Sequence, residues 1–229
     1  MSIRITALIS FICFGILLAG CGDSKIENPP EQQPRNKSVK SEYASNTPKI
    51  VAFGDSLTVG FGLPKRDAYP YLLQKRLDAE GYKYEVIDAG VSGDTTLGGV
   101  ERIDWVLGQK NIKILILELG ANDLMRGVPV KELKSNLEKI IRKAKAKKIE
   151  VLFCGMLAPE SKGRKYQADF ISVFPDLASK YKLKFVPFLL EGVAMDPDLN
   201  QADGIHPNAK GTKIMTANIY KELKSMLQK

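Results

Sequence analysis

At 229 residues the chain is long enough for one substantial domain and too short for two comfortable ones. Its 44% hydrophobic and 26% charged residues exclude a disordered or fibrous protein. The net charge of +8 is spread along the chain; the densest run, Arg142-Lys143-Ala144-Lys145-Ala146-Lys147-Lys148, carries alanines at helical spacing. It is expected to be a solvated helix end, with anionic lipid the next reading and nucleic acid not expected as a partner.

Residues 1–20 stand apart from the fold. Arg4 precedes an apolar run over residues 5–18 that ends in Leu18-Ala19-Gly20-Cys21. The run is shorter than the ~20 residues a spanning helix needs, and it fits the core of a signal peptide. Small residues ahead of Cys21 are similar to a bacterial lipobox, so Cys21 is expected to be the lipidated N-terminus of an exported protein. That protein would be held on the periplasmic side or the cell surface; an ordinary signal peptide or an uncleaved anchor is the alternative. Residues 21–48, polar and with Pro29, Pro30, Pro34 and Pro48, read as a disordered tether reaching roughly 30 Å. Of the three cysteines only Cys154 then stays in the domain, as a small buried hydrophobe in an apolar strand. One histidine and one spare cysteine assemble no metal-ligand set, and no metal or cofactor is expected.

Over residues 49–229 apolar runs alternate with helical patterns. Strands are expected over residues 50–53, 84–89, 112–117, 150–155 and 184–189, the third being the most apolar and so central. Helices are expected over residues 69–80, 96–107, 130–147, 166–181 and 207–227, the fourth interrupted at Pro175. This alternation predicts an α/β fold, a five-stranded parallel sheet with helices on both faces.

Polar, glycine-bearing loops follow four of the strands. They are Gly54-Asp55-Ser56-Leu57, Asp88-Ala89-Gly90-Val91-Ser92-Gly93-Asp94-Thr95, Glu118-Leu119-Gly120-Ala121-Asn122-Asp123 and Asp203-Gly204-Ile205-His206-Pro207. All four project from the carboxyl edge of the sheet, where open α/β sheets bind ligands. If a neighbouring imidazole activates Ser56, His206 is the one candidate, being the chain's single histidine.

These loops resemble the four motif blocks of the SGNH hydrolases, also called GDSL esterases, and the branch most alike is that of the bacterial exported thioesterases, arylesterases and lysophospholipases. The resemblance covers nearly the whole domain and implies a flavodoxin-like three-layer α/β/α sandwich. It implies a serine esterase for acyl esters and thioesters, lysophospholipids included; a monomer is expected. Ser56 would be the nucleophile, His206 its base and Asp203 the group that orients the imidazole. The backbone N–H groups of Ser56 and Gly93 and the Asn122 side-chain amide would form the oxyanion hole, with Gly90 in place of Gly93 if that loop shifts register. Asp88 stands where the family usually has asparagine, at a position more structural than catalytic.

Leu97, Leu124, Met125 and Leu157, on the loops beside the catalytic residues, are expected to line an acyl groove; Leu57 and Met156 could equally close the core. Asp55, Asp94, Glu118 and Asp123 are expected to brace loops or cap helices, and Trp105 to pack on a helix face. Two alternatives stand beside the acyl esterase. One is a carbohydrate or cell-wall O-acetylesterase using the same residues. The other is a flavodoxin-like binding module, which explains the fold but not the joint presence of Ser56, Asn122, Asp203 and His206.

Overall fold

The structure, a computed structural model, describes residues 46–229. The expectations for residues 1–45, Cys21 among them, lie outside the described residues. Five parallel strands form one sheet in the order β2-β1-β3-β4-β5: β1 (Lys49–Gly54), β2 (Glu85–Gly90), β3 (Ile112–Glu118), β4 (Glu150–Cys154) and β5 (Lys184–Val186). The central β3 is buried from Ile114 to Glu118, and β1 from Ile50 to Gly54. Such burial on both faces is what covering helices impose on parallel strands.

The helices are α1 (Ser56–Val59), α2 (Tyr69–Ala79), α3 (Thr96–Val106), α4 (Ala121–Arg126), α5 (Val130–Ala146), α6 (Arg164–Tyr181) and α7 (Ala209–Leu223). The helix α2 packs against α7, and α5 lies between α3 and α6. In α5 the residues Leu133, Leu137, Ile140, Ile141 and Ala144 are fully buried while the lysines stay outside. That is the three-and-four spacing of an amphipathic helix, and each of its larger side chains gains about 2 kcal/mol on leaving water.

Three expected boundaries move, each for a local reason. The helix α6 is continuous through Pro175, which is exposed, because packing of Phe170, Phe174 and Leu177 on the sheet outweighs one lost backbone hydrogen bond. The strand β5 stops at Val186, since Pro187 cannot donate to a ladder. The last helix begins only at Ala209, where the Asn208 side chain accepts the amides of Lys210 and Gly211 at 2.9 and 3.2 Å. The short α1 and α4 are absent from the sequence pattern, being under two turns long.

Trp105 is also corrected: it is 78% exposed on the last turn of α3, and its neighbours Ile103 and Val106 turn inward instead. Cys154 is buried in β4, as expected. Among the described residues no helix is long and apolar enough to cross a membrane.

Candidate active site

In this strand order the chain leaves β1 toward β2 and leaves β3 toward β4, so the connections after these two paired strands run in opposite directions. Crevices form at such switch points. Gly54 and Glu118 are register partners there, the last residues of β1 and β3. A Cβ on Gly54 would lie 2.3 Å from the Glu118 carboxylate and 2.1 Å from Thr58 Oγ1, so only glycine lets α1 start so close above the sheet. Glu118 Oε2 accepts the Asp55 amide at 3.1 Å and the Thr58 hydroxyl at 2.8 Å. Asp55 in turn caps α1, its Oδ1 accepting the Leu57 amide at 3.0 Å. Ser56 therefore opens α1, and its N–H is one of the donors that a helix start leaves unpaired.

Burial drives the pKa of both carboxyls up. Asp55 is raised to about 6 and Glu118 goes well above the usual carboxylate range, the nearby Asp55 charge adding to its burial. Glu118 is the one that keeps the proton. Its Oε1 is buried without a hydrogen-bond partner, which a neutral acid tolerates far better than a carboxylate.

The histidine comes from the loop ahead of α7. Asp203 Oδ1 accepts the amides of Ile205 and His206, both at 3.0 Å, while its Oδ2 lies 2.7 Å from His206 Nδ1. One carboxylate thus organises the turn and aims the ring, and that is why a three-residue spacing works. The bond from the His206 ring, then those from the two amides, hold the Asp203 pKa down at about 2. An ionised Asp203 can only accept, so Nδ1 carries the proton and Nε2 is left as an acceptor. Nε2 lies 2.9 Å from Ser56 Oγ. The Phe61 ring stands 4.8 Å from the imidazole, and Gln201 Nε2 ties that loop to the histidine loop by donating to the Phe61 and Pro207 carbonyls.

Asn122, in the first turn of α4, donates from Nδ2 to Asp55 Oδ2 at 3.0 Å. An amide has two N–H bonds, and the second is left over. Gly93 takes a left-handed φ of 79°, and its carbonyl accepts from Arg126 at 2.7 Å. The amide of Gly90, the alternative donor, is already committed to Asp88 Oδ1 at 3.0 Å. Asp94 and Asp123 brace loops, as expected: Asp94 pairs with Arg102 at 2.6 Å, and Asp123 accepts the Thr96 amide and hydroxyl at 2.8 and 2.6 Å. Among the described residues no three His, Cys, Asp or Glu side chains come together to hold a metal ion.

A cavity of about 510 Å³ opens beside Ser56 and His206, and apolar side chains make up most of its wall. Leu124, Met125 and Leu157 line it, as do Leu57 and Met156. Leu97 does not. Thr96 turns inward to Asp123, and one helical step of about 100° carries Leu97 out to solvent, 54% exposed. Phe188, Leu190, Met195 and Ile205 also line the cavity and were not foreseen. They lie on the irregular chain after β5, where no periodicity marks them. Arg102 was missed as well; it donates to Asp94, to the Ala89 carbonyl at 2.7 Å and to the Gly54 carbonyl at 2.9 Å, locking the ends of β1 and β2.

Residues 52–214 match the model of the GDSL-like Lipase/Acylhydrolase family. The chain belongs to this family. It is 37% identical to esterase TesA of Pseudomonas aeruginosa over 178 residues, 78% of this chain and 89% of that protein. It is 31% identical to thioesterase 1/protease 1/lysophospholipase L1 of Escherichia coli K12, over 78% of this chain and 84% of that one. Among solved structures, that of TesA covers 78% of this GDSL hydrolase and 99% of its own chain at a TM-score of 0.75 and 37% identity. Esterase EstA from Pseudoalteromonas sp., inhibited by monoethylphosphonate, covers 77% and 97% at a TM-score of 0.74 and 31% identity. The protein is an ester-bond hydrolase with the α/β fold of the SGNH hydrolases.

The buried pair Asp55 and Glu118 makes the stability of this GDSL hydrolase depend on pH. Both folded pKa values are raised, so the contribution is complete below the unfolded value near 4 and is lost as pH climbs through about 6 and beyond. Glu118→Gln keeps a neutral group in place. Denaturant midpoints between pH 5 and 7 are expected to show the wild type losing up to about 1.4 kcal/mol per pH unit relative to the variant. A difference flat with pH would mean that Glu118 is ionised in the native fold.

Proposed function

We propose that the protein hydrolyses single-chain acyl esters and thioesters, lysophospholipids included, through Ser56, His206 and Asp203. The observation that carries this reading is the chain of contacts from Asp203 through His206 to Ser56, 2.7 and 2.9 Å long, at the mouth of an apolar cavity of about 510 Å³. His206 Nε2 takes the hydroxyl proton as Ser56 Oγ bonds to the acyl carbonyl carbon. The carbonyl π electrons move onto oxygen, and that oxyanion accepts from the Ser56 N–H, the Gly93 N–H and the free N–H of Asn122. The intermediate collapses, the bond to the leaving oxygen or sulfur breaks, and His206 returns the proton to it. Water repeats the sequence on the acyl-Ser56 ester, releasing the carboxylic acid and restoring the serine. Asp203, an anion throughout, orients the ring and stabilises the imidazolium.

The apolar wall supports acyl chains over a carbohydrate acetate, since a bare acetyl group would leave most of that wall wet. The same Ser56 contact argues against a non-catalytic binding module. The relatives' names, esterase, arylesterase and thioesterase/lysophospholipase, support this substrate class. The anchor at Cys21, exported and membrane-held, completes the proposal: it would place the enzyme where such esters disperse from lipid.

Ser56→Ala and His206→Ala are each expected to fall to background turnover, and Asn122→Ala to lose about 10²–10³ in turnover. A His206→Ala enzyme that keeps full activity overturns the assignment, because the chain has no second histidine. With nitrophenyl esters from acetate to palmitate, kcat/KM is expected to rise by up to about fourfold per methylene until the cavity is full, the equivalent of ~0.8 kcal/mol per buried group. A maximum at acetate favours the O-acetylesterase instead. Mass spectrometry of the membrane fraction is expected to find Cys21 acylated as the first residue; a mature chain that starts elsewhere removes the anchor from the proposal.

A further inference from the structure

A parallel sheet gathers the amino ends of all its strands on one edge, here roughly 20 Å from the cavity edge at ~3.3 Å per residue. On this edge every strand starts beside a lysine. Lys49 opens β1, Lys83 lies two residues ahead of β2, Lys113 is second in β3, Lys148 lies two residues ahead of β4 behind Lys147, and Lys184 opens β5 behind Lys182. All of these but Lys49 are exposed, and among the described residues none of the exposed ones has a carboxylate partner. Two of the acids nearby are spent on other cations, Glu85 facing Lys49 at 3.8 Å and Asp104 pairing with Lys143 at 2.8 Å, while Glu150 at the start of β4 is in no ion pair among the described residues.

Helix dipoles explain part of this. Lys147, Lys148 and Lys182 sit at the carboxyl ends of α5 and α6, where cations are favoured. Lys83, Lys113 and Lys184 belong to strand starts and have no such reason. Between the ends of α5 and α6 lies a notch of about 350 Å³, with Lys145, Lys148, Lys182 and Lys184 around a floor that includes Ile149 and Met226. Glu150 is the one acid in its lining.

A second, independent feature lies on the same edge, at the carboxyl end of α3. Trp105, the chain's single tryptophan, is 78% exposed on the last turn of α3, and the pair of Asp104 with Lys143 holds that turn against α5. An exposed indole and unpaired lysines on one edge of the sheet together have the make-up of a lipid interface, where the ring settles among headgroups and ammonium groups meet phosphates.

We propose that the amino edge of the sheet docks on an anionic phospholipid surface, with phosphate headgroups at the lysine notch and Trp105 at headgroup depth. The inference extends the proposed anchor and rests on a separate surface. Docking in this way turns the cavity edge away from that bilayer, so acyl esters reach Ser56 from the aqueous side as dispersed single-chain molecules.

The lone tryptophan gives the test its probe. The full chain is reconstituted with vesicles of phosphatidylcholine alone or with phosphatidylglycerol, each with and without brominated acyl chains, at low and high salt. Sedimentation with the neutral vesicles reads the anchor, and a protein that does not sediment there removes Cys21 lipidation without touching the docking surface. Emission of Trp105 reads docking: a blue shift and bromine quenching are expected with phosphatidylglycerol at low salt, and both are expected to fade at high salt. Replacing Lys147, Lys148, Lys182 and Lys184 by Gln is expected to lower the docked-to-undocked ratio about fivefold per lysine, with nitrophenyl ester hydrolysis unchanged. Identical Trp105 emission and quenching on neutral and anionic vesicles overturns the proposal. So does a blue shift that grows with protein concentration without vesicles, which would mean a second copy covers the face, or a stronger response to a DNA oligomer than to vesicles.

Discussion

The buried carboxyl of Glu118 is the constraint on which the site depends. It stands at the last register pair of β1 and β3 and accepts from the Asp55 amide and the Thr58 hydroxyl. It leaves no room for any side chain at Gly54. Those contacts set the angle at which α1 leaves the sheet, and hence where Ser56 stands. Asp55, held from one side by Glu118, holds Asn122 on the other. A buried acid is costly in water-free surroundings, and here the fold offsets that cost by keeping Glu118 neutral and giving its Oε2 two donors.

Arg102 makes the same junction rigid from the α3 side. Its planar fork of donors reaches Asp94 and two strand-end carbonyls at once, and its guanidinium lies 3.8 Å over the Phe53 ring. A lysine could not span three acceptors in fixed directions. The loop bearing Gly93 is fixed between this arginine and Arg126, whose guanidinium holds the Gly93 carbonyl. Rigidity counts here because donors aimed at a developing charge work only if they need not reorganise.

Parallel strands give the two sheet edges different chemistry. At the carboxyl edge the loops are short and polar, and they meet apolar chain from beyond β5 to form the cavity. At the amino edge the chain turns from helix ends into strands, and lysines occur at each turn. The separation of these edges by the strand length keeps the positive charge away from Ser56 and His206.

Most of the fold was legible in the sequence. Short apolar runs separated by helical periodicity dictate buried parallel strands, and the central place of β3 follows from its composition. The motif loops were legible too, because parallel topology sends every strand's carboxyl end to one edge; Ser56, Asn122, Asp203 and His206 could be named for that reason. What depends on distant packing could not be read. Arg102 bridges two strand ends far from it in sequence, Leu97 faces out because Thr96 is drawn inward, and Trp105 stands in water where its helix pattern suggested packing. The cavity wall from Phe188 to Ile205 lies on chain without a repeat, so only tertiary contacts bring it to Ser56. Local pattern determines elements and their order; the contacts of side chains across elements decide which atoms meet, and those depend on three-dimensional distance that no sequence spacing records.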